Sequence, residues 1–343
     1  MAERQGVQTG RYKVTCPHCG EPFVVNVPMP EPIVKVVHVP APAPQEAPHH
    51  DHVAEPEHRE IPALEIAFRE MVVETILGRN FELPLLPHVA QKVLLLTNDA
   101  KSSMQDIAKV VMTDQMMTTK IIKIANSPVY GGTVKAENVK QALVRLGQRE
   151  IKNMMLTISM GSKIFKSKAF ADLARELWEQ AVGAAFASRV IAHALRLDRE
   201  AAFMAGLLHD LGKMIMLNIL EGCQRDLGDG YHPTNETIFD LWNSFQVDVG
   251  ELAAEKWELP EMVREVIRRY RDPEGIEGPN AKLVATIHLG HQFCRIHGIG
   301  GEAEEIDLSE SPAMGILGLE PGHTAELIER FANNFEALKS EFM

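Results

Sequence analysis

Two short runs in this 343-residue chain bring chemically capable side chains together. The first is Ala205-Gly-Leu-Leu-His209-Asp210-Leu-Gly212-Lys213, where an imidazole and a carboxylate are adjacent inside an apolar segment. Imidazole offers a neutral nitrogen and carboxylate a hard oxygen, a combination that suits zinc, iron or manganese. Neighbouring side chains on a helix diverge by about 100 degrees, so both could still reach one ion lying beside the helix. A carboxylate in so apolar a setting is costly unless a metal or a protein donor compensates it. The second run is Cys16-Pro-His-Cys19-Gly20. Two thiolates at this spacing supply half of a closed zinc site. No second CxxC follows, so completing the site would take His18, His38, His49, His50, His52 or a second chain. A decayed site and a redox-sensitive thiol pair are alternative readings of the same residues.

The elements that would position these groups fall into distinct stretches. Eleven of the 20 prolines and six of the 14 histidines lie in residues 1–62. The run from Pro28 to Pro62 cannot form a continuous helix, because proline removes backbone donors and fixes φ. After Val39 its only large apolar residues are Val53 and Ile61. Residues 30–62 are therefore expected to be a flexible linker rich in Pro, Ala and His. Ahead of it, Tyr12-Lys-Val-Thr-Cys16 and Phe23-Val-Val-Asn-Val27 are β-prone runs flanking a turn. They predict a small β-hairpin head over residues 1–29 with a metal knuckle at one end.

After residue 62 the apolar period becomes helical. Phe170, Leu173, Leu177, Ala181, Ala184, Ala187, Ile191 and Leu195 recur at three- and four-residue steps, which gives one apolar helix face. Similar patterns predict helices over about 64–77, 88–97, 104–112, 115–125, 137–165, 200–219, 236–256, 260–270, 280–297 and 322–341. Gly78, Asp114, Asn126-Ser-Pro128, Gly131-Gly132, Gly228-Asp-Gly230, Pro260 and Pro273 fall between them, as breakers should. The bulk of the chain is predicted to be all-α.

Composition narrows the function classes. A formal net charge of -12 argues against a broad nucleic-acid footprint. No apolar run approaches the roughly 18 residues of a membrane span, and no secretory h-region opens the chain. The expectation is a cytoplasmic protein without a membrane partner. Phosphate loops of the GxxxxGK[ST] or GxGxxG type are absent. Cys223 and Cys294 stand in apolar helical sequence and are expected to be buried. Met112, Met116, Met117, Met154, Met155 and Met160 are assigned to core faces, and Asn126-Ser-Pro-Val-Tyr130-Gly131-Gly132 to a structural helix stop and turn.

The stretch around His209 and Asp210 resembles the signature of the HD superfamily of metal-dependent phosphohydrolases. Upstream motifs narrow the resemblance. Leu83-Pro-Leu-Leu-Pro-His-Val-Ala-Gln-Lys-Val-Leu94, the run from Met104 to Asp114, Lys120-Ile-Ile-Lys-Ile-Ala-Asn126-Ser-Pro-Val-Tyr130-Gly131 and Val139-Lys-Gln-Ala-Leu-Val-Arg145-Leu-Gly147 follow in order. Together they resemble the HDOD family over roughly residues 75–297. The resemblance implies an HDOD-type multi-helix domain over 63–297. Its N-terminal helical part would be 63–165, its HD-like part 166–297, and a C-terminal helical extension 298–343 would follow. Cys16-Pro-His-Cys19 resembles the first half of small bacterial zinc-ribbon fingers, so the head is expected to be zinc-ribbon-like.

The resemblance also implies which ligands are missing. The first His of a metal-competent HD site would stand two residues after Trp178, where this chain has Gln180. The distal Asp falls at His291, or one turn earlier at His288. Further His positions of the HD-GYP phosphodiesterases hold Gln246 and Tyr270, and the GYP signature is absent. Glutamine is a weaker ligand than imidazole, and tyrosine could ligate only after losing its proton. Lys213 is placed where active enzymes can face substrate phosphate; the simpler reading is a solvated lysine at a helix end, favoured by the helix dipole. The expectation is a non-catalytic regulatory module with a degenerate HD site at Gln180, His209, Asp210, Lys213, His288 and His291. It would bind signalling proteins or a small nucleotide messenger. The alternatives are a divalent metal retained at His209 and Asp210 without turnover, or a metal-dependent phosphohydrolase acting on a nucleotide or phosphoester. A small nucleic-acid adaptor acting through the head is a third.

Overall fold

The computed structural model describes residues 9–15, 22–28 and 63–342, apart from 85–87, 99–102, 133, 164–166 and 229. Two backbone strands, β1 Thr9–Thr15 and β2 Pro22–Pro28, pair antiparallel with Thr9 opposite Pro28 and Thr15 opposite Pro22. Cys16 and Cys19, the expected zinc ligands, and the expected linker over 30–62 lie outside the described residues.

From Ala63 onward every described element is helical. The order is α1 Ala63–Leu77, α2 His88–Asn98, α3 Met104–Met112, α4 Gln115–Ala125, α5 Val139–Leu146, α6 Gln148–Lys163, α7 Ala171–Ala194, α8 Arg199–Leu208, α9 Leu211–Leu227, α10 Asn235–Lys256, α11 Glu261–Arg269, α12 Ala281–Ile296, a single 3₁₀ turn at Leu308–Glu310, α13 Pro312–Leu317 and α14 Pro321–Phe342. Local chemistry sets many of the ends. Ser103 and Asp106 form a reciprocal capping box on α3, and the Asp114 carboxylate accepts from Met116 N and Met117 N at 2.9 and 3.0 Å to start α4. Such caps satisfy backbone donors that the first helical turn leaves open.

Two stretches expected to be continuous are each divided. The 137–165 stretch breaks at Gly147, whose φ of 81° is left-handed backbone that glycine reaches without strain. The 200–219 stretch breaks at His209 and Asp210, between α8 and α9. There the His209 imidazole donates to Gly206 O at 2.6 Å, taking a carbonyl released at the end of α8. The 3₁₀ turn and α13 had no periodic signal of sufficient length.

The chain divides into two compact units, one holding residues up to Asn80 with Cys223–Ser244, the other Phe81–Gly222 with Phe245–Met343. In the first, Phe68 and Val72 of α1 are fully buried, and the Phe68 ring meets Tyr231 at 5.2 Å. Glu65 accepts from the Tyr231 and Thr237 hydroxyls, and Arg69 pairs with Asp240 at 3.1 Å.

The second unit is organised around α7, which packs against α8, α12 and α14. Its small residues Ala181, Ala184, Ala185, Ala187 and Ser188 are buried, so neighbouring backbones come close. A Cβ on Gly206 of α8 would lie 2.9 Å from Ala184 O. A Cβ on Gly212 of α9 would lie 1.7 Å from the Gln246 carbonyl oxygen of α10. The C-terminal extension belongs to this core: Phe331, Phe335, Leu338 and Phe342 of α14 are buried, and Trp178 Nε1–H donates to Phe342 O at 3.1 Å. Met117, Met154, Met155 and Met160 are buried, but Met112 and Met116 are 61% and 56% exposed, contrary to their assignment to the core. The stretch Arg199–Leu227 meets the length and mean hydropathy of a membrane span although charged residues such as Asp210 and Lys213 interrupt it, and 89% of its most apolar window is buried inside the fold. Its apolarity is therefore accounted for by core packing.

The two glycines of α9 predict opposite effects. Gly212→Ala drives a methyl into backbone, and is expected to lower stability by about 3 kcal/mol. A Cβ on Gly222 would meet nothing within 4 Å, so substitution by Ala there should gain up to about 1 kcal/mol. Urea midpoints of the two variants check this pair, and equal shifts would refute the close approach.

Candidate functional site

α8 carries a buried run from Ala202 to Leu208, which delivers His209 and Asp210 into the core at 2% exposure each. Because His209 Nδ1–H donates to Gly206 O, Nε2 is left as the lone-pair nitrogen. That nitrogen lies 3.1 Å from His291 Nδ1 and 3.7 Å from Asp210 Oδ2. Nε2 of His209 then accepts from the Nδ1–H of His291. The ligand atoms of His209, Asp210 and His291 all fall within 4.8 Å of one another, so these three form a group that could hold one metal ion.

Protein donors already engage the Asp210 carboxylate. Oδ2 accepts from Lys213 Nζ at 2.7 Å, and Oδ1 accepts from the Tyr270 hydroxyl. Burial alone would push the Asp210 carboxyl up, but the adjacent Lys213 ammonium holds it well below the usual carboxylate range. Burial and the Asp210 charge push the Tyr270 hydroxyl well above its ordinary value, so it stays protonated and donates. Burial lowers His209, with Asp210 opposing, and burial with the neighbouring His209 lowers His291 further. Both imidazoles are therefore neutral near pH 7.

The expected site residues are not all brought together. Of the two candidates for the distal position, His291 joins His209, while His288 uses Nδ1 to bond the Tyr270 carbonyl at 2.9 Å. Lys213 is not a solvated lysine favoured by a helix dipole: it stands in the first turn of α9, the unfavourable end for a cation, with a side chain 14% exposed. Its partner Asp210 accounts for it, and their separation of three residues is a sequence spacing that pairs charges on a helix. Gln180 lines a cavity of about 380 Å³ with Lys213, Tyr270, His288, His291 and Arg295, but makes no side-chain hydrogen bond with the His209 group. Gly300 presses on it, since a Cβ there would lie 2.6 Å from Gln180 Cβ. Gln246 is buried, does not line this cavity, and its Nε2 has no hydrogen-bond partner among the described residues. Arg295 and Gly300 were not picked out in the sequence, because only the fold returns the end of α12 to α7.

The donor set suits one borderline cation with three protein ligands. It does not suit two, because Tyr270 keeps its proton, Gln180 offers only a neutral amide, and Gln246 does not line the cavity. Where an ion bound, His209, Asp210 and His291 would hold it, and it would supply Lewis acidity or an activated water.

The HDOD domain family matches residues 83–273, more than half of the chain, and the chain belongs to that family. A Treponema pallidum protein of uncharacterised function is 22% identical over 230 residues. The match takes in 64% of this chain and 44% of that protein, so this chain spans less than half the length of that curated relative. A solved HDOD protein of unknown function from Geobacter sulfurreducens superposes with a TM-score of 0.63 at 21% identity, over 81% of this chain and 98% of that one. A Shewanella amazonensis protein named provisionally as a metal-dependent phosphohydrolase gives 0.63 at 20% identity, over 81% and 100%. A Marinobacter aquaeolei protein named provisionally for signal transduction gives 0.56 at 20%, over 81% and 65%. At these identities the likeness establishes the fold.

The site sets an expected pH dependence. His209 and His291 have lowered values when folded, so the unfolded chain binds more protons below about pH 6.5 and stability falls as acid is added. Asp210, also lowered, adds a second loss below its ordinary value of about 3.9. Urea midpoints measured from pH 7 downward should show both phases. The first should shrink in His291→Gln. The second should shrink in Asp210→Asn, leaving only the smaller contributions of carboxyls such as Asp106 and Asp307; the substitution also leaves Lys213 without its buried partner and costs about 3–5 kcal/mol. Variant and wild-type curves that run parallel would contradict this assignment.

Proposed function

We propose that this protein is a non-catalytic signal-transduction module, acting through protein-protein or small-messenger binding, in which the HD-type residues serve as a structural lock. The observation that carries the reading is the Asp210 carboxylate. Lys213 and the Tyr270 hydroxyl engage one oxygen each, so the negative charge a metal would require is already compensated. Gln180, the neutral amide on the cavity wall, adds no strong ligand. The HDOD family membership and the provisional signal-transduction name of the Marinobacter relative are consistent with it.

A second reading, a metal-dependent phosphohydrolase acting on a nucleotide or phosphoester, is favoured by one observation. His209, Asp210 and His291 already stand within reach of a single ion, and a Shewanella relative carries such a name provisionally. Metal analysis of purified protein, with phosphodiesterase and nucleotidase assays in manganese and iron, separates the two. The regulatory reading expects no turnover above that of His209→Ala. Turnover present in the wild type and lost in that variant would overturn it.

Cys16 and Cys19 keep their reading as half of a zinc-ribbon-like head that adds a tethered second contact. Zinc should co-purify with the full chain and disappear in Cys16→Ser while remaining in His209→Ala. Zinc content unchanged by Cys16→Ser would remove the head from the proposal.

A further inference from the structure

Around the turn that joins α7 to α8, three arginines and a histidine line one pocket of about 470 Å³. His193, Arg196 and Arg199 come from the turn, and Arg330 reaches in from α14. All three arginines are exposed, and none makes an ion pair or side-chain hydrogen bond among the described residues. Arg79, Arg149 and Arg225 are likewise exposed and unpaired among the described residues, so what distinguishes these three is that they share one concavity.

Three of the nearby acids are committed elsewhere, while Glu326 and Glu329, which flank Arg330 on α14, are exposed and form no ion pair with it. Asp198 caps α8, accepting from Glu200 N and Ala201 N at 2.9 and 3.0 Å. Glu200 is part-buried and accepts from Asn153 Nδ2 at 2.6 Å. Glu150 pairs with Arg189 at 3.0 Å. The positive field is felt by His193, which is lowered by burial and then by the charges of Arg199, Arg330 and Arg189.

Helix dipoles do not account for the cluster. The C-terminal end of α7 favours a cation at Arg196. Arg199 is the first residue of α8, where a positive charge is disfavoured, and Arg330 belongs to a different helix. Like charges gathered in one concavity repel, and a ligand of opposite charge relieves that repulsion. Guanidinium groups present planar forks that match phosphate oxygens in pairs, and the pocket is of small-ligand size.

We infer that the pocket formed by His193, Arg196, Arg199 and Arg330 binds a phosphate-bearing anion, recognised by the three guanidinium groups. The site is separate from the His209 cavity: His193 follows Gln180 by 13 residues on the uninterrupted α7, about 20 Å along its axis. The inference does not depend on whether the His209 group is catalytic.

Calorimetric titration of the full chain with inorganic phosphate, pyrophosphate and ADP tests it, at fixed ionic strength set with sodium chloride. Binding of at least one probe is expected. Arg330→Gln should weaken it about tenfold or more, and Arg196→Gln/Arg199→Gln/Arg330→Gln should abolish it. The bound anion should raise the melting temperature of the wild type and not that of the triple variant. It should also raise the His193 titration midpoint seen by NMR. Without anion, the triple variant should melt no lower than the wild type, which separates lost binding from lost folding. Tighter binding of ADP than of pyrophosphate would assign the pocket to a nucleotide; the reverse would assign it to a free anion. The inference is overturned if no probe shifts His193 at millimolar concentration, or if binding survives in the triple variant.

Discussion

A carboxylate buried to 2% exposure in an apolar helix junction constrains everything around it. Asp210 could remain charged there only with compensation, because desolvating an ion costs several kcal/mol even after relaxation. Lys213 supplies the countercharge, Tyr270 supplies a proton donor, and His209 and His291 stay neutral beside them. Each of those residues comes from a different part of the chain: the first turn of α9, the end of α11, the end of α8 and the middle of α12. The carboxylate therefore ties four helical segments together, and the arrangement holds only if those segments approach closely.

Small residues provide the approach. Alanines on α7, with Gly206 on α8 and Gly212 on α9, remove the side chains that would keep the helices apart. The same glycines flank the His-Asp pair in sequence, so the pair and the space it needs are encoded together. The cost of this design is that the site has little room to relax.

The C-terminal helix has a comparable structural role in a different place. Its phenylalanines fill the side of α7 near Phe186 and Trp178, and its polar face carries Arg330 to the end of α7. One helix thus completes the core and contributes charge to a pocket formed by a turn more than a hundred residues earlier. This long-range assembly gives an acidic protein a local basic concavity without changing its net charge.

Helix positions were readable because apolar residues at three- and four-residue steps impose a face regardless of what covers it. α3 and α4 coincide with the sequence expectation, since Ser103 and Asp114 are local caps. The division at His209 was not readable, because it arises from a side chain taking a backbone carbonyl rather than from a breaker residue. The sequence by itself determined the family and the all-helical class from Ala63 onward, both of which depend on residue type and order. Only the tertiary structure decided that His291 rather than His288 faces His209, that Lys213 is a buried partner rather than a solvated charge, and that Tyr270 donates to Asp210. Those outcomes depend on which helix faces meet, and burial then fixes the charge state of every group at the meeting point.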